Sequence, residues 1–328
     1  MEAGTEIVTE ATPPSLKTSV AQTTLRVVVG LVLLVSLIVL LDVKQLLAAF
    51  SSARYEYLIA GALFAILNIG SQVVKWKYLL RLMIPDVSWK VAAMSVFFGN
   101  SVGSATPGHV GEFVGRALRV SHDSPVQVIG LAVLDRVQNM FAFTIGAIAV
   151  LPVFSFLPVT TAISISITLG VIVLAGGVMG IRIVSKLNLA SIRFRWLQNA
   201  LRSLTLLKPF HWGVTVGWSF VFYAVILIQM FLFLLAFEDV LLVDAIAGFA
   251  MSLFAKSFLP ISFGDLGVRE ATSVYFYSFV GVPSAAAFNA AFLMFVANIF
   301  VPAIVGVIFT PKLLTKTTAS SHATVPHE

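Results

Sequence analysis

The chain has 328 residues, 59% of them hydrophobic and only 11% charged, which excludes an ordinary soluble domain, where about a quarter of residues are charged. Its formal charge of +6 would suggest nucleic-acid binding in a soluble protein, but basic loop residues of a membrane protein report orientation, so no nucleic-acid partner is expected. Cysteine is absent and the five histidines lack ligand spacing, so no disulfide, metal or other cofactor is expected.

Apolar runs long enough to cross a hydrocarbon core of about 30 Å predict an all-α polytopic membrane protein with six full transmembrane helices. These predicted spans lie near residues 26–41, 57–74, 126–150, 160–181, 211–237 and 284–309. The predicted membrane domain covers residues 23–311, with a first half at 23–181, a basic connector at 182–210 and a second half at 211–311. Residues 1–22 and 312–328 are predicted to be disordered tails.

Two further apolar intervals, residues 91–121 and 242–280, are each interrupted by proline and glycine and then continue with charged residues. Each half of these intervals is too short or too polar to cross a bilayer alone. The pattern predicts two re-entrant helical hairpins that enter the membrane and return on the same side.

The distribution of lysine and arginine in the short loops predicts the orientation of the chain. The connector 182–208 holds six basic residues and no acid, so it is expected on the cytoplasmic side. A basic group after the second span indicates the same side for that loop, and consists of Lys75, Lys77, Arg81 and Lys90. Although Lys44 and Arg54 argue weakly for the opposite orientation, both termini are predicted to be cytoplasmic, in the cell membrane of a prokaryote. The two hairpins then enter from opposite faces.

The two interrupted intervals share a motif. The first contains Pro107, Gly108, Gly111, Glu112 and Arg116, and the second contains Pro260, Gly264, Gly267, Arg269 and Glu270. Both read as proline, then Gly-x-x-Gly, then an acid and an arginine. Two such motifs in opposed hairpins predict an inverted repeat, which is typical of transporters whose binding sites lie where broken helices meet.

The motif residues suit an anionic ligand. Proline and glycine end the incoming half-helix and expose backbone amides at the start of the outgoing one, which favours phosphate binding. A charge at membrane depth costs about 2.5 to 3.5 kcal/mol, so the charged side chains are expected to face the interior of the bundle. The predicted substrate-binding residues are those of both motifs together with Lys256, one helical turn before the second break. Predicted supporting residues are Asn100, Asp135, Arg136, Ser273 and Tyr277.

Structural alternatives stay open for several of these residues. The glycines could serve close packing, and Glu112 with Arg116 could be an ordinary helical ion pair. Lys256 either faces the cavity or snorkels to the interface, and Asp135 with Arg136 either contacts ligand or pairs with the hairpin charges. Asp265 is expected to cap the second outgoing helix. The stretch "IRFRWLQNALRSLTLLK" is either an amphipathic helix on anionic headgroups or a solvated loop.

The segments "TPGHVGEFVGRALRV" and "LPISFGDLGVREA" resemble the lysylphosphatidylglycerol synthase transmembrane-region family, also described as flippase-like membrane proteins. The stretches "VLDRVQNMFAF" and "VVKWKYLLRLM" support the resemblance, which covers about residues 20–312. It implies a translocator of anionic or polyprenyl-phosphate-type lipids, with the motif residues at its site. Family members that aminoacylate phosphatidylglycerol carry a large soluble domain after the membrane part. Because this chain ends soon after Lys312, synthase activity is not implied and the lipid stays open.

The leading hypothesis is therefore a lipid transporter that is not an enzyme. No nucleotide-binding loop is present in the sequence, so energy would come from a gradient or from downstream consumption, or would not be needed by a scramblase. The alternatives are a non-catalytic partner of a separately encoded lipid synthase or glycosyltransferase, and an enzyme using Glu112 and His109, which lacks an assembled nucleophile. Expected partners are membrane lipids with an anionic headgroup, with a second copy of the chain or a lipid-modifying enzyme as candidate protein partners.

Overall fold

A computed structural model describes residues 43–106, 108–154, 158–186, 192–259 and 265–308, and every regular element within these ranges is helical. The predicted first span at 26–41 and both predicted tails lie outside these residues. In chain order the helices are α1 Val43–Ser51, α2 Tyr55–Arg81, α3 Trp89–Ser104, α4 Gly111–Leu118, α5 Pro125–Val150, α6 Val159–Ser185, α7 Arg195–Arg202, α8 Pro209–Leu235, α9 Leu242–Ser257, α10 Val268–Ser278, α11 Ser284–Phe295 and α12 Val301–Ile308. A π-helical segment, Val296–Phe300, joins α11 to α12.

Five helical segments in the described part of the chain are long and apolar enough to cross a membrane. They are Tyr55–Arg81, Pro125–Phe154, Val159–Val184, Pro209–Leu235 and Ser284–Ile308. They confirm the five predicted spans that fall within the described residues, and the chain is a multi-pass membrane protein.

The second predicted span is longer than the sequence indicated. Helix α2 continues to Arg81, so Lys75 lies on a buried turn of this helix and not in the loop that follows. The Lys75 side chain is only 2% exposed because it pairs with Asp135. Its use as a loop residue in the orientation argument was therefore wrong, since a paired lysine inside the bundle carries no information about sidedness.

Residue types at the helix ends account for several of these boundaries. Helices α5 and α8 begin at Pro125 and Pro209, where the missing N–H of proline costs no hydrogen bond. The Ser88 hydroxyl caps α3 by accepting from the backbone N–H of Val91 at 3.2 Å.

Two pairs of shorter helices occupy the intervals that the sequence singled out. Helices α3 and α4 pack against each other and form the first helix pair, and α9 and α10 form the second. None of these four helices reaches the about 20 residues that a full crossing needs. Helix α5 packs against α4 and also against α9, so it bridges the two pairs.

Glycine brings the two members of the first helix pair into backbone contact. A Cβ atom at Gly99 would lie 2.5 Å from Cγ of Arg116, and one at Gly115 would lie 3.0 Å from Cα of Gly99. A Cβ at Gly103 would lie 3.0 Å from Cβ of Glu112. Small residues of this kind allow membrane helices to approach closely, so packing is one role of the glycines between the two helices.

Buried apolar side chains form two clusters around the helix pairs. One lies between α8, α9 and α11 and includes Met230, Phe249 and Met294. The other joins α2, α3 and α5 and includes Trp76 and Leu131. Because lipid tails are as apolar as these side chains, the clusters stabilise the bundle through close packing more than through removal from water.

The basic connector contains a helix, which is one of the two forms considered for it. Helix α7 packs against α5, where Gly130 leaves room for the Ala200 carbonyl. Residues 187–191 of the connector lie outside the described residues.

The contact between α5 and α7 predicts that Gly130→Ala destabilises the protein, because the added methyl group would collide with the Ala200 backbone. Overpacking of this kind costs roughly 1 to 3 kcal/mol, so we expect a lower melting temperature in detergent. Gly176→Ala on α6 is the matched control, since a Cβ there meets no heavy atom within 4 Å. Equal melting temperatures for the two variants would contradict the packing.

Candidate functional site

The two helix pairs are each broken by residues in the left-handed region of backbone space. In the first break Gly108 and His109 have φ angles of 58° and 57°, and in the second Asp265 and Gly267 have φ angles of 60° and 82°. Glycine adopts such angles freely, whereas His109 and Asp265 are strained by about 1 to 3 kcal/mol each. Pro107, Pro260 and Gly264 of the predicted site lie outside the described residues.

The two strained residues face each other. Nε2 of His109 lies 3.8 Å from Oδ2 of Asp265, and both side chains are largely buried. The breaks of the two helix pairs therefore meet inside the bundle, as expected for a site formed between them.

The Asp265 carboxylate forms ion pairs with the cations of the second helix pair. Its Oδ2 lies 2.7 Å from Nζ of Lys256 and 3.6 Å from Nη2 of Arg269. The Lys256 side chain is only 12% exposed, so it does not snorkel and the interior alternative is the one observed. Arginine and lysine from two helices thus converge on a single acid.

The cap of α10 differs from the prediction. Asp265 was expected to cap this helix, but its carboxylate is directed to Lys256 and Arg269. The left-handed Gly267 instead lets Glu270 reach back, and Oε2 of Glu270 accepts from the Gly267 N–H at 2.7 Å. Glu270 is fully buried and acts as the capping acid.

A second group of charges surrounds Arg116 of the first helix pair. Its guanidinium contacts Oε1 of Glu112 at 2.5 Å and Oδ2 of Asp135 at 2.9 Å. It also lies over the ring of Trp76, 5.0 Å from the centroid. Nη1 of Arg136 lies 4.0 Å from Oε2 of Glu112. Asp135 and Arg136 therefore pair with the charges of the first helix pair, which is one of the two roles considered for them.

Lys75 belongs to the same group and was missed as a site residue. Its Nζ lies 2.7 Å from Oδ1 of Asp135 and donates to Asn139 Oδ1 at 3.0 Å and Ser219 Oγ at 2.6 Å. The signal that could have found it is the polar stripe Asn68, Ser71 and Lys75, which recurs on one face of an otherwise apolar helix.

We call these charges and their neighbours the charged core. It consists of Lys75, His109, Glu112, Arg116, Asp135, Arg136, Lys256, Asp265, Arg269 and Glu270. Its five lysine and arginine side chains outnumber its four carboxylates by one. Within the described residues, Arg116 Nε, His109 Nε2 and Glu270 Oε1 are buried without a hydrogen-bond partner. A bound anion would balance the excess charge and supply an acceptor.

The amides at the two helix starts are already paired. Oγ1 of Thr106 accepts from the Gly111 N–H at 2.8 Å, and the Thr106 side chain fills the space beside Gly111. Glu270 occupies the Gly267 N–H in the same way. An anion at either helix start would have to displace these side chains, so the arginine and lysine side chains are the more direct contacts.

Two of the remaining predicted residues, Ser273 and Tyr277, hold the second helix pair together. Ser273 bonds to Ser252 with an Oγ to Oγ distance of 3.0 Å, and the Tyr277 hydroxyl donates to the Ala245 carbonyl at 2.8 Å. Both attach α10 to α9. Nδ2 of Asn100 is buried without an acceptor among the residues that the structure describes.

A buried amide cluster was also missed. Oε1 of Gln229 accepts from Asn298 at 3.0 Å and lies 3.4 Å from Nδ2 of Asn68. Its Nε2 donates to the Gly61 carbonyl at 3.1 Å. The cluster connects α2 and α8 with the π-helical segment, and isolated amides in apolar spans are the signal that could have indicated it.

The sequence matches the family Lysylphosphatidylglycerol synthase TM region over residues 25–306. The chain belongs to this family. Both helix pairs and the whole charged core lie inside the matched range. The family is associated with lipid translocation. A comparison with curated proteins found no matching relative.

The buried ion pairs predict that Lys75→Met strongly destabilises the protein, because it removes one partner of Asp135 in the interior. Breaking a buried pair in this way costs about 3 to 5 kcal/mol. The measurement is the free energy of unfolding in detergent micelles. The Asp135 carboxylate keeps Arg116 as a partner in this variant, so we expect a loss at the lower end of this range.

Arg54→Gln is the control for this prediction. Arg54 also pairs with an acid, Asp239, at 2.7 Å, but that carboxylate is 86% exposed. Exposed pairs contribute about 0 to 1 kcal/mol, so the control should unfold close to the wild type. Similar losses for Lys75→Met and Arg54→Gln would argue against a buried network.

Proposed function

We propose that the chain is a lipid transporter that moves an anionic phospholipid or a polyprenyl-phosphate-type lipid between membrane leaflets. The observation that carries the proposal is the meeting of both helix breaks in the charged core, whose side chains are largely buried apart from Arg136 and whose cations outnumber its carboxylates by one. Membership of a family associated with lipid translocation supports it.

In this proposal the two helix pairs are re-entrant hairpins related as an inverted repeat. They enter from opposite faces, and their breaks bring the charged core to mid-depth in the membrane. The contact between His109 and Asp265 closes the route between the breaks. The strain in both residues favours a second arrangement in which the contact opens.

The lipid phosphate is proposed to take the position of the Asp265 carboxylate on the second helix pair. Lys256 and Arg269 already converge on this acid, and the fork of an arginine matches two phosphate oxygens. Exchange of one anion for another keeps both cations paired throughout, which avoids leaving an uncompensated charge in the membrane.

The proposed orientation in the membrane follows from the distribution of basic residues along the chain. Both termini and the basic connector lie on the cytoplasmic side of a prokaryotic cell membrane in this proposal, with the two hairpins opposed. Transport is driven by a gradient or by consumption of the lipid after it has crossed, or proceeds in both directions without a source of energy.

Reconstitution in liposomes tests the transport proposal. With a fluorescent anionic lipid in both leaflets, wild-type protein should expose the inner-leaflet dye to an external reductant. Lys256→Gln and Arg269→Gln should each slow this exchange at least about tenfold, because either variant removes a proposed phosphate contact worth about 1.4 kcal/mol or more. Arg54→Gln, which breaks an exposed pair away from the charged core, should leave the rate unchanged. Equal rates in all three variants would count against the proposed site.

A second candidate function is that of a non-transporting partner for a separately encoded lipid synthase or glycosyltransferase. The observation that favours it is the internal pairing of Arg116, which already contacts two carboxylates and an aromatic ring. Such a network also suits a purely structural role. Wild-type protein that moves no lipid in liposomes but accelerates a partner enzyme would support this function instead.

Chemical crosslinking tests whether the two breaks separate during transport. The chain has no cysteine, so His109→Cys with Asp265→Cys introduces the only two thiols. We expect a short bifunctional thiol reagent to join them in membranes, because the two native side chains approach to 3.8 Å. Lipid should protect the pair from joining if it enters between the breaks. Crosslinking that is indifferent to lipid would contradict this route.

A further inference from the structure

An open groove lies outside the charged core, between α5, α6, α7 and α8. Its volume is about 1290 Å³, which exceeds the roughly 300 to 1,000 Å³ typical of sites for drug-sized ligands. Most of its lining is apolar and includes Val137, Phe141, Leu174 and Ile181. A groove of this size and chemistry matches the acyl chain of a lipid.

One end of the groove is basic. Arg182, in the last turn of α6, and Lys186, directly after it, both line the groove and are exposed. Neither forms an ion pair with an acid in the ranges that the structure describes, whereas the cations of the charged core all do. Two cations without an acid at the end of an apolar groove complement a phosphate headgroup.

Two buried polar atoms along the same groove also lack a partner. They are Nε1 of Trp212, a donor, and Oε1 of Gln138, an acceptor, and neither has a hydrogen-bond partner in the described residues. The amide nitrogen of Gln138 donates to Thr215 Oγ1 at 2.8 Å, so only its oxygen lacks a partner. Because both atoms are buried, a lipid in the groove reaches them only after neighbouring side chains move, so they are secondary to the apolar lining and the two cations.

We propose that this groove binds one anionic phospholipid, with its acyl chain along α5, α6 and α8 and its phosphate paired with Arg182 and Lys186. Trp196 of α7 lines the same groove, and tryptophan is enriched where lipid headgroups begin. The proposal concerns binding and holds whether or not the charged core transports lipid.

Glycine gives a steric test of the groove. Gly213 lines the groove, and a Cβ added there meets no heavy atom within 4 Å, so Gly213→Leu starts its side chain in the open space of the groove. Gly217 lies one turn further along α8, has equally open surroundings and does not line the groove. Gly217→Leu is therefore the matched control.

Charge gives an independent test. Arg182→Gln with Lys186→Gln removes the two cations at the end of the groove. Arg193→Gln with Arg195→Gln removes the same charge from exposed positions that do not line it. The second pair separates a localised phosphate contact from a general attraction to anionic surfaces.

The measurement is native mass spectrometry of the detergent-purified full chain, titrated with phosphatidylglycerol and phosphatidylcholine of identical acyl chains. Wild-type protein should bind one phosphatidylglycerol about tenfold more tightly than phosphatidylcholine, as expected for two nearby cations. Arg182→Gln with Lys186→Gln should abolish this preference. Gly213→Leu should weaken binding of both lipids.

Three results would overturn the proposal. The first is a wild-type protein without headgroup preference, which would indicate ordinary annular lipid. The second is a loss of preference in the Arg193 and Arg195 variant as large as in the Arg182 and Lys186 variant. The third is equal binding by Gly213→Leu and Gly217→Leu. Because the readout is binding in detergent, a protein that binds lipid here yet moves none in liposomes separates failure of transport from failure of this site.

Discussion

The structure depends on the requirement that ionised side chains inside a membrane bundle be paired. Asp135 on α5 meets this requirement for Lys75 of α2 and Arg116 of α4 at once, so a single carboxylate fixes three helices relative to one another. Helix α5 also packs against α9, which places the charges of the first helix pair next to those of the second. The apolar clusters surround this arrangement but do not determine it. Apolar side chains can pack in many alternative ways, whereas an ion pair requires two particular residues to meet.

The charged side chains of the two helix breaks are paired in different ways. Arg116 contacts two carboxylates and a tryptophan ring, so its charge is paired within the first helix pair and α5. Asp265 in the second break is shared among Lys256, Arg269 and His109, and its own backbone is strained. A shared and strained carboxylate is the easier one to replace by another anion. The second helix pair is therefore the better candidate for contact with a ligand, and the first for holding the architecture.

Sequence reasoning succeeded where a local pattern determines the outcome. Run length identified the five described spans, and proline with glycine identified the intervals of both helix pairs. It failed where the partner lies far along the chain. Lys75 was interpreted as a loop residue because its partner, Asp135, lies 60 positions further along the chain. The position of Lys256 in the sequence was compatible both with the interior of the bundle and with the membrane–water interface. Asp265 was predicted to cap α10, but the left-handed conformation of Gly267 allows Glu270 to form the cap instead. The groove at α6 was not predictable either, since it arises from how four helices pack.

The glycine seam between α3 and α4 restricts how the protein can move. Where Gly99 and Gly115 bring the two backbones together, the glycines have no side chain of their own that could change rotamer, and the Arg116 side chain packs directly against Gly99. In the proposed transport cycle the first helix pair would therefore move as a single rigid body, with Glu112 and Arg116 keeping their contact. Any alternation between two states of this protein has to be accommodated at the outer borders of that body, where it contacts α5, α12 and the residues of the opposite break.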